Sequence, residues 1–349
     1  IKSSDLLIDS YLKKHGKYPE SIGIVLWGFE TMKTGGDTIA TILSLLGVKI
    51  KHKKSLWFKE LEVIPLEELK RPRIDVVITI CGIFRDTFGT HIDLINRAIE
   101  IVANLDESPE KNFVKKHYLQ YKKKLKDFAL ARIFGPSPTE YATSMRTLVE
   151  SGSWNDEKDL VESYDESMSY AYFKGRIENN RQAFSDILKT VDIVTQERDN
   201  TEYEVTDLDH YYEFLGGLSR TVQEKKGEKT EVMVIDSTEE DVVVEGLEVA
   251  IERATRTRTL NPTWIEGMLK HDFHGAQKIK DRVEYLLAFA ATTGKVENWI
   301  FDEVADRLIF DEEMRKRLQS NNPYATMKIA ELLIESESCL LYTSPSPRD

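Results

Sequence analysis

Cysteine is nearly absent: 349 residues contain two, Cys81 and Cys339. Two thiols are too few for a disulfide framework or a cysteine-built metal site. Cys81 lies in the apolar run VVITICGIF and is expected as a buried core residue. Basic charge is also in deficit, with 48 Lys and Arg against 60 Asp and Glu and a formal charge of −12. That balance argues against nucleic acid as the main partner, because phosphate neutralisation needs a basic face. No apolar stretch approaches the roughly eighteen residues that a membrane span requires. The opening IKSSDLLIDSYLKKHG lacks the basic-then-apolar layout of a signal peptide, so the cytoplasm is the simplest location. It begins without Met and inside a helical pattern, as expected of a piece of a longer protein. Neither GxGxxG nor GxxxxGK[ST] occurs, and TTGKV lacks the upstream glycine of a phosphate loop. There is no internal repeat and no low-complexity linker.

What is present describes a soluble globular protein of two or three domains, 41% hydrophobic and 31% charged. The most informative segment is YPESIGIVLWGFETMKTGGD, Tyr18 to Asp37. It reads as a buried strand (Ile22 to Trp27), a turn with Gly28, Gly35 and Gly36, and then a helix. Such a layout puts backbone N–H groups and an acidic or hydroxyl cap at the mouth of a sheet, where α/β proteins bind ligands. IGIVLW and IDVVITICG are continuous apolar runs of the kind found in parallel strands covered on both faces. The fold expected is α/β, with Rossmann- or flavodoxin-like parallel sheet units and a large helical portion. Residues 1–108 form an α/β unit with a strand-end loop at 27–37, and 109–190 are mainly helical, including ESYDESMSYAYFKG. A second α/β element at 191–260 has TEVMVIDS as a strand and VVVEGLEVAIERATR as a helix. Residues 261–338 are helical, with Pro opening helices at NPTW and NNPY. The Lys-rich stretch KNFVKKHYLQYKKKLKDFALARIF is a long helix with a solvated face. The ending LYTSPSPRD breaks from the helix before it, and 339–349 look like a non-native tail.

An ordered set of blocks carries a family resemblance: the opening block, then LEVIPLEELKRPRIDVVITICGIFRDTF, DESPEKNFVKKH, ARIFGPSPTEY, ESGSWNDEKDL, QERDNTEYEVTDLDHYYEFLGGL, ATRTRTLNPTWIEGMLKHDFHGA, AATTGKVENWIFDEVADRLIFDEEMRKRL and NNPYA. Together they resemble the large subunits of cobaltochelatase (the CobN type) and magnesium chelatase (its H subunit), over nearly all of the chain to about Ser338. Those subunits are several times longer, and the chain looks like their C-terminal part. The resemblance implies a chain that binds a tetrapyrrole and hosts insertion of Co2+ or Mg2+ as the substrate metal. ATP would be hydrolysed by a partner AAA+ ATPase subunit, acting with a metal-ion-dependent adhesion-type subunit. MKTGGD, WIEGMLKH with His271, LGGL and AATTG look like the cobalt branch. TDLDHYYEF looks like the magnesium branch, where a His occupies the place of His210, and Tyr203 stands where the cobalt branch often has His.

Metal insertion needs a base for two pyrrole N–H protons, ligands that strip water from M2+, and an apolar slot for a flat ring. Imidazole and carboxylate serve the first two roles. Catalytic candidates are His271, beside a glycine turn, His210 among carboxylates, Glu202 after the strand-like DIVT, and Glu266 on a buried helix. Their structural rivals are a solvent-facing helix end for His271, a solvated first turn capped by Asp207 for His210, a loop scaffold for Glu202, and an ion pair for Glu266. His210, Asp207 and Asp209 are the candidate metal set. His274, where the cobalt branch has Lys, is expected at the surface. Substrate candidates are Trp27, Glu30, Thr31, Thr34, Gly35 and Gly36 in the opening loop, Arg85 with Asp86, and the arginine group Arg253, Arg256 and Arg258, suited to ring carboxylates. The bland alternatives are a tight turn needing glycine, an internal ion pair, and a surface helix end. SYAYF with Trp154, Trp264 and Trp299 is either a macrocycle wall or plain core. Two rivals to the chelatase reading are a non-catalytic tetrapyrrole-binding module and an unrelated α/β enzyme, such as a glycosyltransferase-like protein, with its site at the strand ends.

Overall fold

In the computed structural model of the protein, residues 2–51, 60–154 and 156–338 are described; the expected tail at 339–349 lies outside them. The chain begins with α1 (Lys2–His15), β1 (Ser21–Leu26), α2 (Gly28–Thr34), α3 (Asp37–Leu46), β2 (Val48–Lys51), β3 (Glu60–Val63), α4 (Leu66–Leu69), β4 (Asp75–Ile80), α5 (Gly82–Thr87), α6 (Gly89–Ala103), α7 (Phe113–Leu125) and β5 (Ile133–Gly135). It continues through α8 (Met145–Ser151), α9 (Glu157–Met168), β6 (Tyr170–Phe173), β7 (Arg176–Asn179), α10 (Arg181–Leu188), β8 (Ile193–Arg198), α11 (Asp209–Tyr211), α12 (Gly217–Lys226), β9 (Glu231–Asp236) and β10 (Val243–Gly246). Helices α13 (Leu247–Ala254), α14 (Pro262–Leu269), α15 (Asp272–Thr293), α16 (Asn298–Ala305), α17 (Glu312–Asn321) and α18 (Pro323–Ser338) complete it. Two compact units emerge: Ile1–Met145 with Val161–Asn200 and Leu218–Glu245, and Arg146–Leu160 with Thr201–Gly217 and Gly246–Asp349.

The first unit is an eight-stranded sheet in the order β10-β9-β8-β1-β4-β5-β6-β7. β1 pairs in parallel with β4 and with β8, β4 with β5 and β8 with β9, whereas β6 runs antiparallel to β5 and to β7. All six residues of β1, of β4 and of β8 are buried, as expected for parallel strands with both faces covered. The α/β class with a large helical portion is as expected. Segment 191–260, expected as a second α/β element, contributes β8 and β9 to the same sheet as β1. Two local assignments differ from expectation. SYAYF is strand β6 rather than helix end, because alternating aromatics pair with β5 and β7. VVEG forms β10, and its helix starts only at Leu247. The Lys-rich helix ends at Leu125, where Lys126 takes φ +53°, and its expected tail becomes a 3-10 turn and β5. The expected loop at 27–37 is mostly the short helix α2. Cys81 is buried, as expected.

The amino ends of the central strands are tied by buried charge. Asp75, first residue of β4 and fully buried, accepts from Arg132 Nε at 3.0 Å and faces His117 Nδ1 at 2.8 Å. His117 Nε2 faces Glu20, just before β1, at 3.2 Å, and Lys116 reaches the same carboxylate at 2.6 Å. With both ring nitrogens against carboxylates, His117 donates twice and is imidazolium. Burial alone would push its pKa down, but the bonds to Asp75 and Glu20 outweigh that and raise it. Glu20 is held at about 2, chiefly by the His117 bond. Burial alone would raise Asp75, and Arg132 and His117 more than reverse it. On β8's side, Asp192 pairs with Lys226 at 2.6 Å and accepts from the Glu20 backbone N–H at 2.7 Å.

The second unit is helical and, among the described residues, contains three π-helical turns, Tyr212–Gly216, Thr255–Thr259 and Asp306–Phe310. Helices α14 and α15 meet closely at Gly275, where an added Cβ would run into the Met268 carbonyl. Among the described residues no helix is long and apolar enough to cross a membrane. Two outcomes are expected from urea unfolding. Asp75→Asn leaves the buried Arg132 uncompensated and costs about 3–5 kcal/mol. Gly275→Ala forces two backbones apart and costs about 1–3 kcal/mol.

Candidate functional site

Strand order reverses at β1. The chain leaves β1 towards β4 and β5, whereas β8 and β9 lie on its other side. Ligands of open α/β sheets bind outside the carboxyl ends of the strands at such a switch point. Here that crevice lies between the ends of β1 and β8, and two carboxyl groups meet in it. Glu30, on α2, and Glu197, near the end of β8, are each 4% exposed. Helix α2 sits tightly because Gly28 lies against α5, where a Cβ would come within 2.8 Å of the Ile83 side chain. The chain then turns into α3 through Gly35 and Gly36, at φ +75° and +103°.

Hydroxyl groups surround the pair. Thr34 Oγ1 lies 3.0 Å from Glu30 Oε1 and accepts from the Gly36 and Asp37 backbone N–H groups at 3.2 and 3.1 Å. Thr38, on α3, donates to Glu197 Oε2 at 2.6 Å, and Ser237, just past β9, donates to Oε1 at 2.5 Å. The Glu30 and Glu197 carboxyl groups act on one another electrostatically. Burial, then the Glu197 charge, pushes Glu30 up to about 8. Burial raises Glu197 as well, against the hydroxyl bonds. Two buried carboxyl groups that repel one another do not both ionise, so the pair keeps a proton at neutral pH. Nearby charge is settled separately: Lys33 pairs with Asp199 at 2.5 Å, and Arg198 with Asp236 at 2.6 Å. Gln196, one residue before Glu197, is 1% exposed, and neither amide atom has a partner among the described residues.

Of the residues expected in the opening block, Glu30 and Thr34 belong to this pair and Thr31 is buried beside it. Trp27 is the half-buried N-cap residue of α2, with no side-chain cap bond. Gly35 and Gly36 supply backbone angle, since a Cβ at Gly35 would meet nothing within 4 Å. Arg85 is committed internally: it pairs with Asp86 at 2.7 Å, donates to the Ser137 and Glu140 carbonyls at 2.7 Å each, and lies over Tyr141.

The remaining candidates lie in the second unit. His271 is exposed and precedes the first residue of α15. His274 is exposed too. Glu266 corrects the sequence reading: it is exposed rather than buried, forms a two-pronged pair with Arg317 at 2.6 and 2.7 Å, and is held below the usual carboxylate range by that bond. A carboxylate so held is a poor base. The candidate metal set does not assemble either. Asp207 accepts from the Glu204 backbone N–H at 2.7 Å and is engaged by Arg258 and Arg282, and Asp209 pairs with Arg146 at 2.5 Å. Among the described residues no group of three His, Cys, Asp or Glu is arranged to hold a metal ion. Half-exposed His210 contacts buried Glu213 at 2.9 Å, and that bond raises its pKa towards imidazolium. Glu202 is exposed, and its carbonyl accepts from Arg258 at 2.9 Å. Arg256 pairs with Glu252 at 2.9 Å and stacks over Trp299, while Arg253 pairs with Glu204 at 3.5 Å. Arg256 and Trp299 line an open surface cavity of about 500 Å³. Trp264 lies under Arg282, and Trp154 is buried.

Sequence reading missed Glu197, Thr38 and Ser237. A strand taken to end at DIVT leaves Glu197 in a loop. The usable signal was an acid in TQER, directly continuing an apolar strand.

Glu30→Gln tests the shared proton. Because the folded pKa is raised, the proton that Glu30 keeps on folding contributes stability that is full below about pH 4.5 and lost as pH rises through about 8. The amide does not titrate, so the variant should gain on wild type between pH 5 and 9, by an amount on the order of 4 kcal/mol in urea titrations.

Comparison with known proteins agrees with this architecture. The family model described as CobN/Magnesium Chelatase matches residues 1–347. The aerobic cobaltochelatase subunit CobN of Sinorhizobium sp is 35% identical, over 99% of this chain and 28% of its own length. The chloroplastic magnesium-chelatase subunit ChlH of Oryza sativa subsp. japonica is 34% identical, over 96% of this chain and 25% of its own. The solved structure of the catalytic subunit of cobaltochelatase from Mycobacterium tuberculosis superposes with a TM-score of 0.96 at 30% identity, covering 99% of this chain and 30% of that one. The chain thus spans under a third of the length of these relatives. It belongs to the CobN/magnesium chelatase family.

Proposed function

We propose that this chain is part of the tetrapyrrole-binding large subunit of an ATP-dependent chelatase that inserts Co2+ into a corrin precursor, hydrogenobyrinate a,c-diamide, in cobalamin biosynthesis. The observation that carries the proposal is the family match across residues 1–347. MKTGGD, LGGL, AATTG and His271 favour cobalt. A second reading, Mg2+ insertion into protoporphyrin IX, has its own support in TDLDHYYEF with His210 and in the nearly equal identity to ChlH of Oryza sativa. ATP is assigned to an AAA+ partner subunit working with a metal-ion-dependent adhesion-type subunit, consistent with the lack of a phosphate-loop motif here.

Each residue has a chemical assignment on this reading. A ring N–H must lose its proton as the metal enters, and the switch-point crevice holds the buried carboxyl pair suited to that traffic. Helix α2 offers an apolar wall, because Phe29 and Met32 point outward at 62% and 57% exposure. His271, exposed beside α15, is the candidate imidazole base or ligand. His210, biased to imidazolium by Glu213, is a proton donor and not a metal ligand while charged. Arg256 is the arginine available for a ring carboxylate.

The test titrates hydrogenobyrinate a,c-diamide and protoporphyrin IX in turn, following the Soret band and fluorescence quenching. Metal insertion is then assayed with Co2+ or Mg2+, ATP and partner subunits. Binding of the corrin precursor with Co2+ insertion, abolished in His271→Ala, is the expected result. Binding without insertion under any partner combination identifies a non-catalytic module, and binding of neither ring overturns the reading.

A further inference from the structure

Residues 136–141, which follow β5, form neither helix nor strand, yet they are tied down along their length. Tyr172 donates its hydroxyl to the Pro136 carbonyl. Arg85 donates to the Ser137 and Glu140 carbonyls at 2.7 Å each, and the Gly82 N–H donates to the Tyr141 carbonyl at 3.0 Å. Arg85 and Gly82 both belong to α5, the helix that follows β4. The segment is thereby fixed at the carboxyl ends of β4 and β5, which pair in parallel beside β1. It ends in an aromatic side chain, Tyr141, that is 57% exposed.

An exposed tyrosine on a loop ordinarily keeps its rotamer freedom, and a ligand that fixes it must overcome that entropy. Tyr141 has little such freedom left. Its hydroxyl bonds to Asp86, whose carboxyl is held below its usual range by Arg85 and then by Tyr141, and the same bond raises the phenol. The Arg85 guanidinium lies over the ring, 5.0 Å from its centroid. Gly82 leaves room for that ring, since a Cβ there would come within 2.6 Å of it. With the hydroxyl engaged by Asp86 and one face by Arg85, the residue offers solvent the other face of a fixed aromatic ring. Such a face stacks on a flat conjugated group without a further ordering cost.

The neighbouring surface suits a wide ligand. Helix α2 lies against α5 through Gly28 and Ile83, and it presents exposed Phe29 and Met32. β5 is two strands from β1 in the sheet. At the usual strand spacing that is roughly 10 Å, comparable with the width of a tetrapyrrole. Resting on the function proposed above, we propose that Tyr141 stacks on one face of the bound tetrapyrrole and sets its affinity, with Arg85 and Asp86 as positioning residues. Arg85 and Asp86, expected from the sequence as substrate contacts, then act through Tyr141 instead. The turn GPSPTEY gains a task as well: it carries the stacking ring to the ligand edge of the sheet.

The experiment uses the full-length large subunit, with its ATP-hydrolysing partners for turnover, and the variants Tyr141→Leu, Tyr141→Phe and Asp86→Ala. Hydrogenobyrinate a,c-diamide and protoporphyrin IX are titrated, and Kd is read by fluorescence quenching for whichever ring wild type binds. Tyr141→Leu keeps bulk but loses the aromatic face, and should raise that Kd roughly fivefold to tenfold. Tyr141→Phe keeps the face and should stay within about threefold of wild type. Asp86→Ala frees the hydroxyl and should raise Kd about threefold. In turnover, Tyr141→Leu should raise KM for the ring by the same factor as Kd, with kcat at saturating ring within about twofold of wild type. A Tyr141 that only anchors its loop would instead make Phe and Leu equally weak and lower both urea midpoints. That outcome overturns the stacking alone, as does a Tyr141→Leu protein with wild-type Kd, including one whose only defect is assembly with the partner subunits. A wild type that binds neither ring overturns the functional reading and takes the stacking role with it.

Discussion

The sheet of the first unit hangs on the carboxylate of Asp75. It is wholly buried at the start of β4, and it joins Arg132, which precedes β5, to His117 on α7. His117 passes the connection to Glu20 before β1, and Glu20's backbone passes it to Asp192 before β8. Four neighbouring parallel strands thus begin from one compensated chain of charges. Such an array is costly to desolvate and more costly to break, because removing Asp75 leaves Arg132 buried without its counter-charge. The amino edge is therefore the charge-compensated edge.

That compensation sets up the contrast at the carboxyl edge. There Glu30 and Glu197 are equally buried but have only hydroxyls and one another, so charge is reduced by sharing a proton rather than by pairing with a cation. The same acid side chain is a fixed anion at one end of the strands and keeps its proton at the other. Burial raises carboxyl pKa values at both ends. Arg132, Lys116 and His117 reverse the effect at the amino edge only.

Much of the fold was legible in the chain. β1 and β4 announce themselves as unbroken apolar runs, and Gly35-Gly36 marks a turn that its positive φ angles bear out. SYAYF shows where legibility ends: its aromatics fit a helix or a strand, and pairing with β5 and β7 decides for strand. Glu266 was misplaced because WIEGM has an apolar look, while the burial of one helix face depends on its neighbours. His210, Asp207 and Asp209 are close in sequence, yet Asp207 and Asp209 turn to separate arginines, and local spacing carries no information about that competition.

By itself the sequence determined the class and the family, because apolar periodicity and ordered blocks are properties of the chain read in one dimension. It also determined that Glu30 and Thr34 stand at a strand end. Only the tertiary structure decided what Glu30 faces. Glu197 lies 167 residues away in numbering, and β8 comes to β1 by crossing back over the sheet. Whether an acid is an anion or keeps its proton depends on what lies within a few ångströms of it and how little water does, and both are set by that return.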